Sequence, residues 1–401
     1  MGARSEPAAP AAPQLEAGRR MELPEPPGPV RLSLRDRLLA SRGFQRWALR
    51  FPLTRFVAKR RAAALFDLCA GFVYSQVLLA CVNLRLFTFL DSAPRPLGFI
   101  SARLGLTREA TLTLLRAAAA LDLVESRDSG DRWSLGRQGA ALLGNPGLLP
   151  MIEHHALFYR DLSDPVGLLR HSAGNTALSD FWAYARSPAP ESQTAEQVEA
   201  YSALMAASQS FIADEVLDAY DFRRHRNLLD VGGGDGSFCI AAARAAPRLS
   251  VLCFDLPAVA ERARLRFGAA GLGSRAAAAG GDFKAGVLPD GADVVSLIRV
   301  LHDHDDATVL RVLRAAYRVL PPKGAIVIAE PMSGTHEAPR VADVYFGFYL
   351  WAMGSGKPRT AAELIALLRR AGFDAPRLAR TRLPMNVRVL VARRDKSVNR
   401  D

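Results

Sequence analysis

The sequence predicts an α/β protein in two parts. A helical N-terminal half carries a winged-helix pattern, and a parallel sheet covered by helices on both faces follows it. Three observations carry this. From residue 226 on, short apolar runs alternate with helical stretches: "NLLDV", "FCIAAARAAP", "LSVLCFDL", "PAVAERARLRFGAAG", "ADVVSLIRVL", "DATVLRVLRAAYRVLPPKG" and "AIVIAEP". Short apolar strands alternating with helices are the pattern of a buried parallel sheet. Upstream, residues 62–200 read as mostly helical. Within them, "FISARLGLTREATLTLLRAAAALDLVESRDSGDRWSLG" (99–136) reads as helix, turn, helix and wing. The chain has 401 residues, 49% of them apolar, enough for two or three domains of ~150 residues each.

Taken in order, residues 1–30 are rich in Ala, Pro and Glu and lack the apolar core of a signal peptide, so they read as a disordered tail. Residues 31–61 hold ten Lys and Arg against one acid, Asp36, most of the excess behind the net charge of +12. On a single helix Arg31, Arg35, Arg42, Arg46 and Arg50 share one sector. Leu32, Leu34, Phe44, Trp47 and Phe51 scatter around the others, leaving the apolar face poorly defined. The arm is either a solvated helix or a surface for anionic lipid or nucleic acid. The apolar run 71–82 is shorter than the ~20 residues of a spanning helix and is expected as a buried helix. In the winged-helix pattern, Gly105 makes the turn and Thr107 caps the second helix, with Glu109 in its first turn. That helix carries only Arg108 and Arg116 as cations. A structural, dimer-forming role therefore fits better than base reading, and no nucleic-acid partner is expected. Cys69, Cys81, Cys239 and Cys253 stand singly in apolar surroundings and read as buried free thiols of a cytoplasmic protein. The tail "RLARTRLPMNVRVLVARR" reads as a terminal strand pair.

The chemistry gathers where strands end. "LLDVGGGDGSF" places four glycines within five positions after the first strand of the sheet, where open α/β sheets bind ligands. No Gly-Lys-Ser/Thr follows, which argues against a phosphate loop, and G-x-G-x-x-G is not met. Gly232, Gly234 and Gly236 instead give the G-x-G-x-G spacing of S-adenosylmethionine enzymes. Asp255, ending the next strand, can accept from both ribose hydroxyls. Asp282 and Phe283 can take an adenine amine and ring. His302, at the end of a later strand, is placed as a general base. His302, Asp303, His304 and Asp305 are all metal-ligand types, but neighbouring side chains point in different directions, so no metal is expected. "VYFGFYLWAM" packs five aromatics between Tyr345 and Trp351. It reads as a core or dimer helix, and equally as the wall of a greasy substrate channel formed by Tyr345, Phe348, Tyr349 and Trp351.

These motifs, with "FDLP", "GDF", "VLHDHDD" and "GKPRT…AGF" in this order, resemble the plant-type O-methyltransferase family, which also occurs in bacteria. The resemblance covers roughly residues 62–394. Within the family, "RRAAALFDLCAGFVYSQVLLACVNLRLF" is similar to the bacterial enzymes of carotenoid synthesis, with bacteriochlorophyll-precursor methyltransferases as relatives. It implies a winged-helix dimerisation domain (62–200) before a Rossmann-like methyltransferase domain (201–394); residues 1–61, read above as tail and arm, precede it. It implies S-adenosylmethionine as methyl donor, a homodimer and a lipophilic acyclic hydroxycarotenoid as substrate; the charge of residues 31–61, outside the resemblance, is what suggests a peripheral membrane contact for a cytoplasmic enzyme. It puts the cofactor on Gly232, Gly234, Gly236, Asp255, Asp282 and Phe283. Catalysis falls on His302, with Glu330 as its orienting carboxylate. Three positions depart from the family: His304 stands for a Trp, Ile298 for a Lys (with Arg299 next), and Pro358 for the second orienting glutamate. With one carboxylate missing, the imidazole is expected to be less firmly held and less basic.

Overall fold

The computed structural model describes residues 32–335 and 340–395, apart from 146, 171–174, 183–203, 205–208, 210–211 and 384–386. The expected tail 1–30 lies outside the described residues. The chain forms two units, divided between Val73 and Tyr74.

In the first unit the basic arm is not one helix. Ser41 ends α1 (Leu34–Ala40) and its hydroxyl caps α2 (Arg42–Arg50) by accepting from the Phe44 amide at 3.4 Å. A Ser side chain competes for backbone amides in this way, which makes it a cap residue. The break removes Arg35 from the sector of Arg42, Arg46 and Arg50. Within α2 alone the segregation is sharp: these three arginines lie on one side. On the other, Trp47 stacks on Phe51 at 4.9 Å and tilts against Phe44 at 5.7 Å. The expectation of a poorly defined apolar face is corrected accordingly. α3 (Arg55–Asn83) is a 29-residue helix, long and apolar enough by length and composition to cross a membrane. The run 71–82 is its last part. It was expected to be buried, but only Cys81 and Val82 are. Cys69 is exposed, against expectation, while Cys81, Cys239 and Cys253 are buried and all four are free.

In the second unit helix, turn, helix and strand pair follow in the expected order, the first helix starting at Leu97, ahead of the short helix 100–104 that the sequence suggested. Gly105, in the left-handed conformation, ends helix Leu97–Leu104. The Thr107 side chain accepts from the Ala110 amide to start helix Arg108–Ala120. β2 (Val124–Arg127) and β3 (Arg132–Leu135) make the wing. β1 (Arg95–Pro96) adds to it as a short third strand.

The main sheet has seven strands in the order β6-β5-β4-β7-β8-β10-β9. They are β4 (Asn227–Val231), β5 (Ser250–Asp255), β6 (Ala276–Gly280), β7 (Val294–Ile298), β8 (Ala325–Glu330), β9 (Phe373–Ala379) and β10 (Arg388–Arg394). The first five pair in parallel, and β10 runs antiparallel to β8 and β9. Successive side chains alternate between two cores. Leu228, Val251, Val294 and Val327 meet Phe238 and Phe267 on one face. Leu229, Val295, Leu297, Ile326 and Ile328 meet Val309, Leu313 and Leu368 on the other. Burial of each such side chain contributes about 1.5–3 kcal/mol. β6 ("AAAAG") is a strand that the sequence pattern does not announce, since alanine favours helix. Pairing with β5 along the sheet edge overrides that preference. The chain leaves β4 to one side for β5 and β6 and returns to the other for β7 and β8. The carboxyl ends of β4 and β7 therefore flank the switch point where such sheets hold ligands.

Candidate functional site

The glycine turn stands at that switch point. Gly232, Gly234 and Gly236 all have positive φ, but space treats them differently. A Cβ on Gly232 would meet Val300 Cγ2 at 2.7 Å, and one on Gly236 the Phe267 ring at 2.5 Å. Packing inside the protein accounts for these two. A Cβ on Gly234 would meet nothing within 4 Å. The Gly234 N–H donates to Asp255 Oδ2 at 2.8 Å, and the Leu256 N–H to Oδ1 at 2.7 Å. Desolvation pushes the Asp255 carboxyl up to about 6, against the pull of these two amides. Beneath the turn Asp230 is fully buried, accepting from Ser296 Oγ at 2.5 Å. Burial raises its carboxyl to about 7. Asp282 caps a short 3-10 turn by accepting from the Lys284 amide at 2.8 Å. Phe283 lies 3.5 Å from the position of a Gly232 Cβ and meets the His304 ring edge-on at 5.4 Å. Glycine turn, Asp255, Asp282 and Phe283 thus share the carboxyl edge of β4, β5 and β6.

His302 lies on a single 3-10 turn, Leu301–Asp303, just past β7. Glu330, the last residue of β8 and 3% exposed, reaches across to it. Glu330 Oε1 accepts from the Val300 and Leu301 amides at 3.0 and 2.6 Å, and Oε2 pairs with His302 Nδ1. On the other side of the ring Asp303 Oδ1 lies 3.2 Å from Nε2. Two carboxylates therefore face the imidazole, although Pro358 supplies neither. Burial alone would lower the His302 pKa, but Asp303 and Glu330 outweigh it and raise it above the ordinary value. The ring is thus held on both sides, by Glu330 and by Asp303, without the carboxylate lost at Pro358. His304 faces Phe283 instead, and burial lowers its pKa to about 4. Among the described residues no group of three His, Cys, Asp or Glu side chains could hold a metal.

The "GKPRT" segment clamps this turn from outside. Arg359, 3% exposed, donates to the Leu301 carbonyl at 2.7 Å, the His304 carbonyl at 2.6 Å and Asp306 Oδ1 at 2.8 Å. Lys357 N–H donates to the His302 carbonyl at 2.9 Å. Gly356 has φ +76°, and a Cβ on it would lie 1.9 Å from that carbonyl oxygen. Sequence reasoning missed Arg359. Its signal was available: an arginine in a short loop preceding a helix, next to the one position where the family's glutamate is lost.

A small cavity opens at the ring, lined by Met151, Trp182, Arg299, His302, Asp303, Tyr345, Phe346, Tyr349, Leu350 and Met353. Tyr345 and Tyr349 stack at 5.7 Å on one face of the segment, which turns from a π-helical stretch (Arg340–Phe346) into helix Gly347–Met353. Phe348 and Trp351 were expected in this wall and are not there. One helical turn sends them to other sides. Phe348 packs into the neighbouring apolar cluster, and Trp351 donates to the Leu168 carbonyl at 2.8 Å. Trp351 borders a second cleft of ≈ 470 Å³ with Lys284, Asp303, His304 and Gly356. The wall is also less greasy than expected. Arg299, at φ +57°, and Asp303 face it. The Tyr349 hydroxyl is bound to His154 at 2.7 Å and the Tyr345 hydroxyl to His155 at 2.8 Å. Desolvation lowers both histidine pKa values, so each serves as a neutral partner. The paired histidines in the apolar stretch "EHHALFYR" were the cue to this support.

Arg359→Lys keeps the charge but not the fork, leaving at least one buried carbonyl unpaired. It is expected to cost about 1–3 kcal/mol of stability. Lys357→Ala removes an ammonium 3.0 Å from Asp306 in a half-exposed pair, and is expected to cost under about 1 kcal/mol. Denaturant unfolding of the two variants checks the order; equal losses would contradict the clamp.

The residues 159–374 match the model of an O-methyltransferase domain, and 66–145 that of an O-methyltransferase dimerisation domain. The chain is 42% identical to demethylspheroidene O-methyltransferase of Cereibacter sphaeroides, covering 84% of this chain and 88% of that protein. It is 38% identical to the Rhodobacter capsulatus enzyme of the same name, covering 94% and 95%. Among solved structures, human N-acetylserotonin methyltransferase in complex with SAM superposes with a TM-score of 0.70 at 22% identity. That match covers 84% of this chain and 98% of that one, and concerns the fold. A mitomycin 7-O-methyltransferase also gives 0.70, at 25% identity over 84% and 99% of the chains. With a domain match over more than half its length and close relatives over most of it, the chain belongs to the O-methyltransferase family.

Proposed function

We propose that this S-adenosylmethionine-dependent O-methyltransferase methylates the hydroxyl of an acyclic hydroxycarotenoid. The observation that carries the reading is one sheet edge holding two devices. A glycine turn sits beside an acceptor carboxylate, and an imidazole clamped by Glu330 sits at a cavity of mixed aromatic and polar wall. The substrate class follows the two bacterial relatives, whose names specify demethylspheroidene.

The donor's nucleoside needs hydroxyl acceptors and close backbone approach. Each Asp255 oxygen spends one acceptor position on a backbone amide and retains another. Space lies in front of Gly234. Both features fit a ribose, and we assign the donor to Gly232, Gly234, Gly236, Asp255, Asp282 and Phe283. When bound, it supplies a methyl group made electrophilic by a sulfonium. The chain's own residues position the acceptor and take its proton. Orientation of the two reactants can supply ~7–11 kcal/mol of the barrier.

His302 is assigned as general base. With Glu330 on Nδ1–H, Nε2 holds the lone pair that accepts the hydroxyl proton. The imidazolium so formed lies between the carboxylates of Glu330 and Asp303, which spreads its charge. An aliphatic alcohol is a weak acid, so its proton leaves as the new C–O bond forms. Tyr345 and Tyr349 form part of the substrate wall.

Residues 62–200 are assigned as the dimerisation domain of a homodimer and 201–394 as the catalytic domain, in the cytoplasm. The match to a dimerisation model and the exposed Leu65, Phe66 and Leu68 of α3 support a second copy there.

Asp255→Ala is expected to weaken donor binding roughly ten- to hundredfold, because a charge-assisted hydrogen bond is worth about 1.5–3 kcal/mol. Calorimetry giving wild-type affinity would remove Asp255 from the donor site. Incubation with labelled donor and both candidate pigments should label the acyclic hydroxycarotenoid. A labelled bacteriochlorophyll precursor in its place would overturn the substrate while leaving methyl transfer intact. His302→Ala should slow single-turnover transfer about 10²–10⁴-fold with donor affinity near wild type. Transfer within a few-fold of wild type would show that His302 is not the base.

A further inference from the structure

Residues 32–61 carry nine Lys and Arg against Asp36 alone. The same segment exposes large apolar side chains: Leu38 is 51% exposed, Trp47 50%, Leu53 83% and Phe56 73%. Methyl transfer at the sheet edge makes no use of either property. The two are ordered relative to each other. On α2, Arg42, Arg46 and Arg50 recur every fourth residue on one side, and the Phe44, Trp47, Phe51 ladder occupies the other. Arg55, Lys59, Arg60 and Arg61 follow on the first turns of α3, beside exposed Phe56 and Val57.

We propose that residues 32–61 form a docking surface for an anionic lipid bilayer. A duplex nucleic acid would be served by the cations but would leave the aromatic ladder in water. A bilayer interface takes both. Phe, Trp and Leu enter the boundary between headgroups and acyl chains, and the arginines beside them keep their guanidinium groups at the phosphates. Indole is suited to that boundary by its apolar body and polar N–H. One apolar helix or one basic patch binds weakly and reversibly, whereas the two together hold a protein at a membrane. The surface does not depend on the carotenoid reading, since it is defined by lipid charge and not by the substrate.

The test is flotation of the full-length protein with vesicles of phosphatidylcholine alone or mixed with phosphatidylglycerol, without donor or substrate. Three proteins are compared: wild type, Arg42→Glu/Arg46→Glu/Arg50→Glu, and Trp47→Ser/Phe51→Ser. Donor affinity by calorimetry confirms that each variant is folded. Wild type is expected to float with the anionic vesicles at least about tenfold more than with neutral ones, and to be released by high salt. Both variants should lose at least about tenfold of that binding while keeping donor affinity. Wild type remaining unbound overturns the proposal. So does an aromatic variant that floats like wild type but sediments as a smaller species, which would make the ladder a contact between copies. Binding that resists high salt and survives both substitutions would assign the membrane contact to α3 as a spanning helix, against the proposal. Release from the vesicles by equimolar duplex DNA or RNA would assign the surface to nucleic acid instead.

Discussion

One buried carboxylate organises the carboxyl edge of the sheet at β7 and β8. Glu330 closes β8, and its two oxygens do different things. One holds the Val300 and Leu301 amides, which shapes the turn after β7. The other holds the ring of His302. A charged carboxylate in this setting is costly unless its acceptor positions are filled. The turn and the ring fill them, so the geometry of the backbone and the orientation of the imidazole rest on the same group. The register of β7 against β8, with Ile298 opposite Ala329, brings the side chain of the next residue, Glu330, to this height. Arg359 completes the arrangement from outside by taking the Leu301 and His304 carbonyls.

Much of the sheet was legible because burial on two faces writes a simple code: continuous apolar runs, each ended by Gly, Pro or a cap. The positions of Asp255 and His302 followed, because a strand's end fixes which edge its last side chains serve. The glycine turn was legible as a tight turn at a strand's end, but not which of its glycines internal packing requires. Gly232 and Gly236 are required by Val300 and Phe267, which come from distant parts of the chain. β6 was hidden because its four alanines carry no strand preference, and only its neighbour β5 makes it one. The aromatic segment was read along the chain, where Tyr345 and Trp351 look equivalent. On a helix they are not, and Phe346 and Met353 join the cavity in place of Phe348 and Trp351. The contact of Asp303 with its neighbour's ring could not be read either. It depends on the tight 3-10 turn, which brings adjacent side chains together.

The site combines two solvents. Toward the glycine turn the acceptors are carboxylates and the partners are backbone amides. Toward the cavity the wall is aromatic, and its hydroxyls are satisfied by neutral histidines from the helix Leu148–Asp161. A long apolar chain ending in one hydroxyl, as proposed for the substrate, suits such a border.

The central claim is that Glu330 and Asp303 together make His302 a stronger base than an ordinary histidine. It is tested most directly by an NMR titration of the His302 ring in the folded protein, compared with Glu330→Gln and Asp303→Asn. Both carboxylates favour the protonated ring, so the wild-type midpoint is predicted above the ordinary 6.5, with a lower midpoint in each variant. The neutral, proton-accepting form then dominates only on the alkaline side of that midpoint. A wild-type midpoint at or below 6.5, or one that neither substitution moves, would contradict the account.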